Sequence, residues 1–495
     1  MGSLQVTTES YDIVIVGAGL AGINCAYRFK TKLPEAKIAV LEARDSIGGT
    51  WEIFKYPGIR SDSDLYTYGF SWEPWPYETP IAEGHLILSY LDHCVKKHDL
   101  GKYMNFRHKV TGGEWSSEAR KWTLSVDHDG RKKIYSTSFV VLGTGYYDYD
   151  NPLPATIPGI ENFKGKVIHP QFWPTDYDFS DKEVVVIGSG ATAITLIPNL
   201  APRTKHTTML QRSPSYIAAV SNRSVYAKWW FLPKGVKHWL DRINAIMRGF
   251  WYVSLCQMYP EQAKRRFIKT TGELLPSTIS TDPHFTPRYL PWEQRVCLSP
   301  DGDFFKCLHD KDGQPAKASV VTATIDTVTD DGISCQDGQK LKTDVIITAT
   351  GLKMRWGGGI SFRVDGELIN PSEHVIWDDC MMNDVPNLVF MLGYARASWT
   401  LGTDNTAIAV CRLWKDMKKR GQEIASPKFP VQQLQQIREG DKQHWLDLSS
   451  TYLKSDTTSP FNLKHGKGPW KAKGNVWFDW FFARFGNIRQ SLALS

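Results

Sequence analysis

Two glycine-rich turns, Gly17-Ala18-Gly19-Leu20-Ala21-Gly22 and Gly188-Ser189-Gly190-Ala191-Thr192-Ala193, carry the densest chemical information in this 495-residue sequence. Both follow the pattern G-x-G-x-x-G/A, in which glycines permit a tight turn and let a pyrophosphate approach a helix N-terminus. Ala193 in the last position of the second turn leaves slightly more room between helix and strand. Beyond the first turn, Leu41-Glu42-Ala43-Arg44 sets a carboxylate where it can accept hydrogen bonds from both hydroxyls of an adenosine ribose. Gly48, Gly49, Thr50 and Trp51 follow closely, an arrangement suited to FAD. The corresponding place after the second turn holds Gln211-Arg212-Ser213. A guanidinium and a hydroxyl suit a 2′-phosphate, which predicts NADPH in preference to NADH at this second site.

These turns need strands and helices to hold them. Residues 11–16 form a β-branched run, followed by a helical pattern to about residue 29 and another apolar run at 38–41. The same β-α-β grammar recurs at 183–187, 191–200 and 206–210. Each unit is answered later by an apolar strand running into a small-residue turn, at 139–145 and 345–351, as matching ends of two sheets would be. The expected fold class is therefore α/β, with two dinucleotide-binding (Rossmann-like) domains and a helical insertion. The expected boundaries are 1–147 and 355–495 for the FAD-binding domain and 148–214 and 289–354 for the NADPH-binding domain. Residues 215–288 are read as the insertion, because strand patterns vanish between 226 and 281. A strand at 388–391, helices at about 403–419 and 431–453, and a tail returning to the first domain complete the reading. The Pro-rich stretch 151–158 is the clearest hinge candidate.

Composition narrows the partners. The chain is 22% charged, 42% hydrophobic and 12% aromatic, as in a soluble globular enzyme. Its net charge of +7 is spread along the sequence without a basic arm, which argues against nucleic acid. The eight cysteines contain no C-x-x-C pair and read as reduced thiols of a cytoplasmic protein. No signal peptide or run of membrane-spanning length is present. Two aromatic clusters, at 229–231 and 477–482, are read first as core or interdomain packing, with weak contact to a membrane surface as the alternative.

Between the two fingerprints lies Phe163-Lys164-Gly165-Lys166-Val167-Ile168-His169-Pro170-Gln171-Phe172-Trp173-Pro174, which fits F-x-G-x-x-x-H-x-x-x-W-P at every fixed position. This resembles the signature of type I Baeyer-Villiger flavin monooxygenases; related flavin-containing monooxygenases share its Phe, Gly and His but typically lack the Trp-Pro ending. The likeness extends through Gly48 to Trp51, Tyr56 to Asp62, Pro291 to Arg295 and Gly393 to Thr400, covers nearly the whole chain, and is greatest to the ethionamide-activating branch. It implies that NADPH reduces FAD and that reduced flavin captures O2 as a C4a-peroxide. Addition to a ketone and migration of a carbon substituent then give an ester or lactone. The family's active-site arginine matches Arg295, a cation for the anionic intermediate in a water-poor pocket, and its carboxylate partner matches Asp62. Trp399 falls in the last matching segment and is carried over as a cofactor neighbour. His169 and Trp173 read as a relay or hinge, with a packed interdomain pair as the plain alternative. Where many members carry a lysine beside the arginine, this chain has Gln294, leaving the 2′-phosphate more dependent on Arg212.

Competing chemistries remain on the same scaffold: S- or N-oxygenation by a flavin hydroperoxide, or a redox-sensing flavoprotein without turnover. A disulfide reductase would need a cysteine pair near the flavin, which the sequence lacks. No H-E-x-x-H, paired metal-ligand spacing or G-x-S-x-G element is present. Tyr289, Trp292 and Trp399 suggest a lipophilic ketone as the small-molecule substrate.

Overall fold

The computed structural model describes residues 8–430 and 464–495. Two sheets organise it. In the first, Leu388–Phe390, Arg131–Leu142, Thr8–Val16, Ile38–Leu41 and Met104–Asn105 lie side by side and parallel. Side chains of the first strand alternate between two cores, as a strand buried on both faces must. Ile13 and Ile15 pack with Phe29, Phe139 and Trp414 beneath the helices Leu20–Lys32 and Trp399–Lys419. Val14 and Val16 pack with Trp115, Trp122 and Phe362 on the opposite side.

The second sheet is also parallel, in the order Ala318–Thr322, His206–Gln211, Glu183–Ile187, Val345–Thr348, Lys166–Ile168. Val184 and Val186 face the core under helix Ala191–Leu200, whereas Val185 and Ile187 face an antiparallel three-stranded element spanning Ile325–Val328, Gly332–Cys335 and Lys340–Lys342. The strand ends match across the two sheets. Gly17, at φ +99°, has its missing Cβ 2.7 Å from Gly143 O, and Gly188, at φ +137°, has its own 2.3 Å from Ala349 O. A side chain at either position would push apart the two strands whose crossing makes the turn.

The α/β class with two Rossmann-like sheets is as expected. Several details differ. The antiparallel strands His108–Ser116 and Lys121–His128 were not expected, and they extend the first sheet beyond its parallel core. The region read as a helical insertion opens with a strand, Ile217–Val220, paired parallel to Cys297–Pro300; its helices are Lys234–Met258 and Pro260–Leu274. The helix expected from 403 begins four residues earlier, at Trp399. The expected helix at 431–453 lies almost wholly outside the described residues.

The aromatic clusters correct the packing expectation. Trp229, Trp230 and Phe231 are exposed, as are Trp477, Phe478, Trp480 and Phe481 on helix Val476–Phe485. That helix packs through Ala483 and polar anchors, leaving its rings outside. The tail does return to the first sheet's side of the molecule: Leu492–Leu494 pairs with Ala425–Pro427, and Trp470 enters the core beneath the first sheet.

Candidate active site

A cleft of about 480 Å³ opens at the C-terminal ends of the first sheet's strands. Gly17, Gly19, Glu42, Gly49, Thr50, Trp51, Asp62, Arg295 and Trp399 all line it. Glu42 is buried, with one carboxylate oxygen accepting from Ala18 N at 2.7 Å and the other from Arg44 N at 2.9 Å. Those bonds fix its plane. Gly49, at φ +56°, brings its backbone against Gly19, where an added Cβ would sit 3.1 Å from Gly19 Cα. The cradle thus has backbone where other sequences would have side chains, which is the shape a pyrophosphate requires. Gly22 does not line the cleft; its missing Cβ would lie 1.9 Å from Gly17 O, so it lets the helix close on the strand.

Aromatic groups form the walls. Trp51 Nε1 donates to Tyr68 OH at 3.0 Å, Tyr146 stacks on Trp399 at 4.8 Å, and Thr50 Oγ1 and Tyr149 OH share a hydrogen bond of 2.7 Å. Burial pushes the Tyr149 hydroxyl up to about 12, so it stays a neutral donor and acceptor. Sequence reading missed Tyr68, Tyr146 and Tyr149; the aromatic run after Gly143-Thr144-Gly145 was the available signal.

Asp62 and Arg295 come from different parts of the chain and reach the same cleft. Both act on the buried thiol of Cys297, which burial pushes up to about 12, with Asp62 adding to the rise and Arg295 opposing it. Arg295 is exposed, contrary to the expected water-poor surrounding. Arg60, unnoticed as a single residue in the sequence, pairs with Asp303, whose carboxylate also accepts from Ser299 Oγ at 2.7 Å. Tyr56 hydrogen-bonds Thr192, and Asn199 fills the space beside Gly58. The segment 56–62 is thereby clamped to the second sheet's first helix and to the 299–306 region.

The second fingerprint is open to solvent. Gly190 has nothing within 4 Å of its missing Cβ, and Arg212 and Ser213 are exposed at the end of their strand. Ser189 Oγ donates to Ser213 O at 2.9 Å, tying turn and loop together. Ala193 is fully buried against the sheet.

The structure does not bring the residues of the F-x-G-x-x-x-H-x-x-x-W-P pattern into the cleft. Phe163 is buried in the second sheet's outer core, and the missing Cβ of Gly165 would meet Asp344 O at 2.4 Å. Trp173, followed by Pro174, stacks on Phe179 at 5.3 Å. His169 Nδ1 accepts from Gln171 N at 3.2 Å, while its buried Nε2 makes no well-formed hydrogen bond. Burial holds its pKa below the usual histidine value, partly offset by the Gly351 backbone, so the ring is neutral near pH 7. Gln171 Nε2 donates to Asp148 O at 2.8 Å. Both contacts fall on the two strands that link the sheets: Asp148 N donates to Lys353 O, Arg355 N donates to Tyr146 O, and Tyr147 bridges to Met354. These contacts tie the pattern to the connection between the two sheets.

Comparison with known proteins places this geometry. A family model described as flavin-binding monooxygenase-like matches residues 11–253. The chain is 37% identical to the FAD-containing monooxygenase EthA of Mycolicibacterium smegmatis, over 97% of this chain and 96% of that one. Among solved structures, it is similar to OTEMO in complex with FAD and NADP (TM-score 0.73, 20% identity, 99% and 100% of the two chains). It is likewise similar to cyclohexanone-bound cyclohexanone monooxygenase in its rotated conformation (TM-score 0.74, 21% identity, 99% and 100%).

Proposed function

Since the chain belongs to the flavin-binding monooxygenase-like family, we propose that it is an FAD- and NADPH-dependent Baeyer-Villiger monooxygenase. The reaction is ketone + O2 + NADPH + H⁺ giving ester or lactone + H2O + NADP⁺. The cofactors are FAD and NADPH, in keeping with an FAD-containing relative and with a structural neighbour determined with FAD and NADP. FAD, when bound, would supply the hydride acceptor and the oxygen-activating chemistry that the reaction needs.

The remaining work falls to side chains. Gly17, Gly19 and Gly49 make room for the FAD pyrophosphate, and Glu42 accepts from the adenosine ribose. Gly188 and Gly190 do the same for NADPH, with Arg212 and Ser213 taking its 2′-phosphate. Arg295 supplies a fixed positive charge to oxygen transfer, and Asp62 orients it. Trp51, Tyr68, Tyr146 and Trp399 keep water from the flavin's face of the cleft. Residues 1–147 and 355–495 serve FAD, residues 148–214 and 289–354 serve NADPH, and 215–288 cap the substrate side. A lipophilic ketone suits these aromatic walls.

The observation that carries this reading is that Asp62 and Arg295 line the same cleft as the first glycine cradle. Purified protein given NADPH, labelled O2 and a panel of ketones and thioethers tests it. Ester bearing one labelled oxygen per NADPH consumed is the expected product. Sulfoxide alone would assign heteroatom oxygenation, and hydrogen peroxide alone would leave an NADPH oxidase or a sensor.

A further inference from the structure

Two helices carry large apolar side chains on the outside of the molecule. Of the exposed apolar residues on Lys234–Met258, Val236, Trp239, Met247, Phe250, Trp251 and Leu255 fall within about 160° of the circumference at about 100° per residue, with exposed Tyr252 outside that arc. The single carboxylate of that helix, Asp241, is buried and held by Ser224 Oγ at 2.8 Å. Lys234, Lys237 and Arg248 remain at the margins of the apolar face, and exposed Trp230, at 87%, stands just ahead of it beside Lys228. The shorter helix Val476–Phe485 repeats the plan. Trp477, Phe478, Trp480, Phe481 and Phe485 are exposed on one side, its single carboxylate Asp479 is turned inward to accept from Tyr394 OH at 2.8 Å, and Arg484 lies over the Trp480 ring at 4.4 Å.

The inward anchors of the two helices lie close together. Arg242 of the long helix donates to Gly69 O, and nearby Ser71 donates to Asp404; Arg484 of the short helix donates to Asn405, the next residue. Both helices are thus anchored inward by polar bonds around one point of the first sheet's lobe, leaving apolar rings and basic margins outward.

We propose that these two helices form a docking platform for an anionic lipid bilayer surface, with the tryptophan and phenylalanine rings in the headgroup region and the lysines and Arg248 against lipid phosphates. Residue type and charge select this occupant. Tryptophan concentrates at membrane interfaces, and both helices withdraw their only carboxylate from the face that an anionic surface would meet. Among the described residues no helix is long and apolar enough to cross a membrane, so the contact is peripheral. The proposal does not depend on the oxygenation chemistry.

Flotation of the full-length protein with phosphatidylcholine vesicles, with and without phosphatidylglycerol, is the direct test. Binding is expected to increase with phosphatidylglycerol and to fall with added salt, and tryptophan emission is expected to shift blue and be quenched by brominated acyl chains. Trp239→Ser with Trp251→Ser, and separately Phe478→Ser with Phe481→Ser, are each expected to lower vesicle partitioning about tenfold or more while the far-UV spectrum and flavin content stay unchanged. Failure of the unmodified protein to float with anionic vesicles at low salt overturns the proposal. So does a dimer in sedimentation velocity that the tryptophan variants dissociate, because a second copy of the chain would then be the occupant.

Discussion

Glu42 and Arg212 stand one residue past the ends of equivalent strands and carry opposite charges. This contrast, which we read as a ribose acceptor against a phosphate donor, was legible in the sequence because each lies a short, fixed distance beyond its own glycine turn. Arg212→Ala is expected to raise the KM for NADPH by roughly ten- to a hundredfold, the loss of a charge-assisted bond of about 1.5–3 kcal/mol, and to leave that for NADH nearly unchanged. Steady-state kinetics with both nucleotides check this. At Arg295, loss of the guanidinium is expected to abolish ester formation while NADPH oxidation continues, with peroxide replacing product; Arg295→Lys should recover little, since an ammonium lacks the planar, fixed fork of donors. The Arg60–Asp303 pair was invisible in the sequence, because nothing local to either residue signals a partner 243 positions away.

The linking strands are the element most dependent on one side chain. Asp148 is 3% exposed; burial alone would raise its pKa, yet the Asn151 side chain and backbone, the Arg355 guanidinium and the Asp150 N–H together hold it below the usual carboxylate range. Lys353 and Arg355, at 3.4 and 3.3 Å, are themselves about half and a third exposed, so most of its worth lies in the hydrogen bonds and less in charge. Asp148→Ala is therefore expected to destabilise the protein by about 1–3 kcal/mol and to increase protease cleavage at the linkers. Thermal melts and limited proteolysis measure the two effects. The connections between the sheets were only partly readable: the prolines at 152, 154 and 158 drew attention to one, whereas its partner at 351–355 has no such mark. Gly112 and Gly113 blur the alternation of the strand 108–116, whereas 121–128 alternates cleanly, with Trp122, Leu124 and Val126 inward, and was legible though not read; Ser398 stands at the N-cap of the helix that starts at Trp399.

Several buried acids set the behaviour of the whole molecule with pH. Asp404, chelated by Arg28 at 2.7 and 2.8 Å, and Asp379, bonded to His465 and Lys473 N, are both held low despite burial, as is Asp148. A depressed folded pKa contributes stability above the unfolded value, about 3.9 for aspartate, and loses it as pH falls through the folded value. The neutral His169 obeys the same sign from its higher starting point, about 6.5. These groups favour a decline in melting temperature that is gentle below about pH 6.5, where buried Asp64 and Asp378, raised by desolvation to about 7 and about 6, act in the opposite sense, and steep below about pH 4. His169→Gln should reduce the gentle part, to which His108, His206 and His284, also held low by burial, contribute as well, and leave the steep one.

The architecture also orders events during synthesis. The first sheet joins Thr8–Val16 to Arg131–Leu142 early in the chain, but its edge strand Leu388–Phe390 and the covering helix Trp399–Lys419 are made only after the second sheet's last strand, Val345–Thr348. At ordinary translation rates the gap is roughly ten to fifty seconds, long enough for the later-starting unit to finish first. Because Asp148 and Lys353 are hydrogen-bonded neighbours, the completed unit can close on itself through its own two ends. Until then Ile13, Phe139 and Val141 have no Trp414 to cover them, so the nascent chain's exposure to chaperones is concentrated on its N-terminal portion.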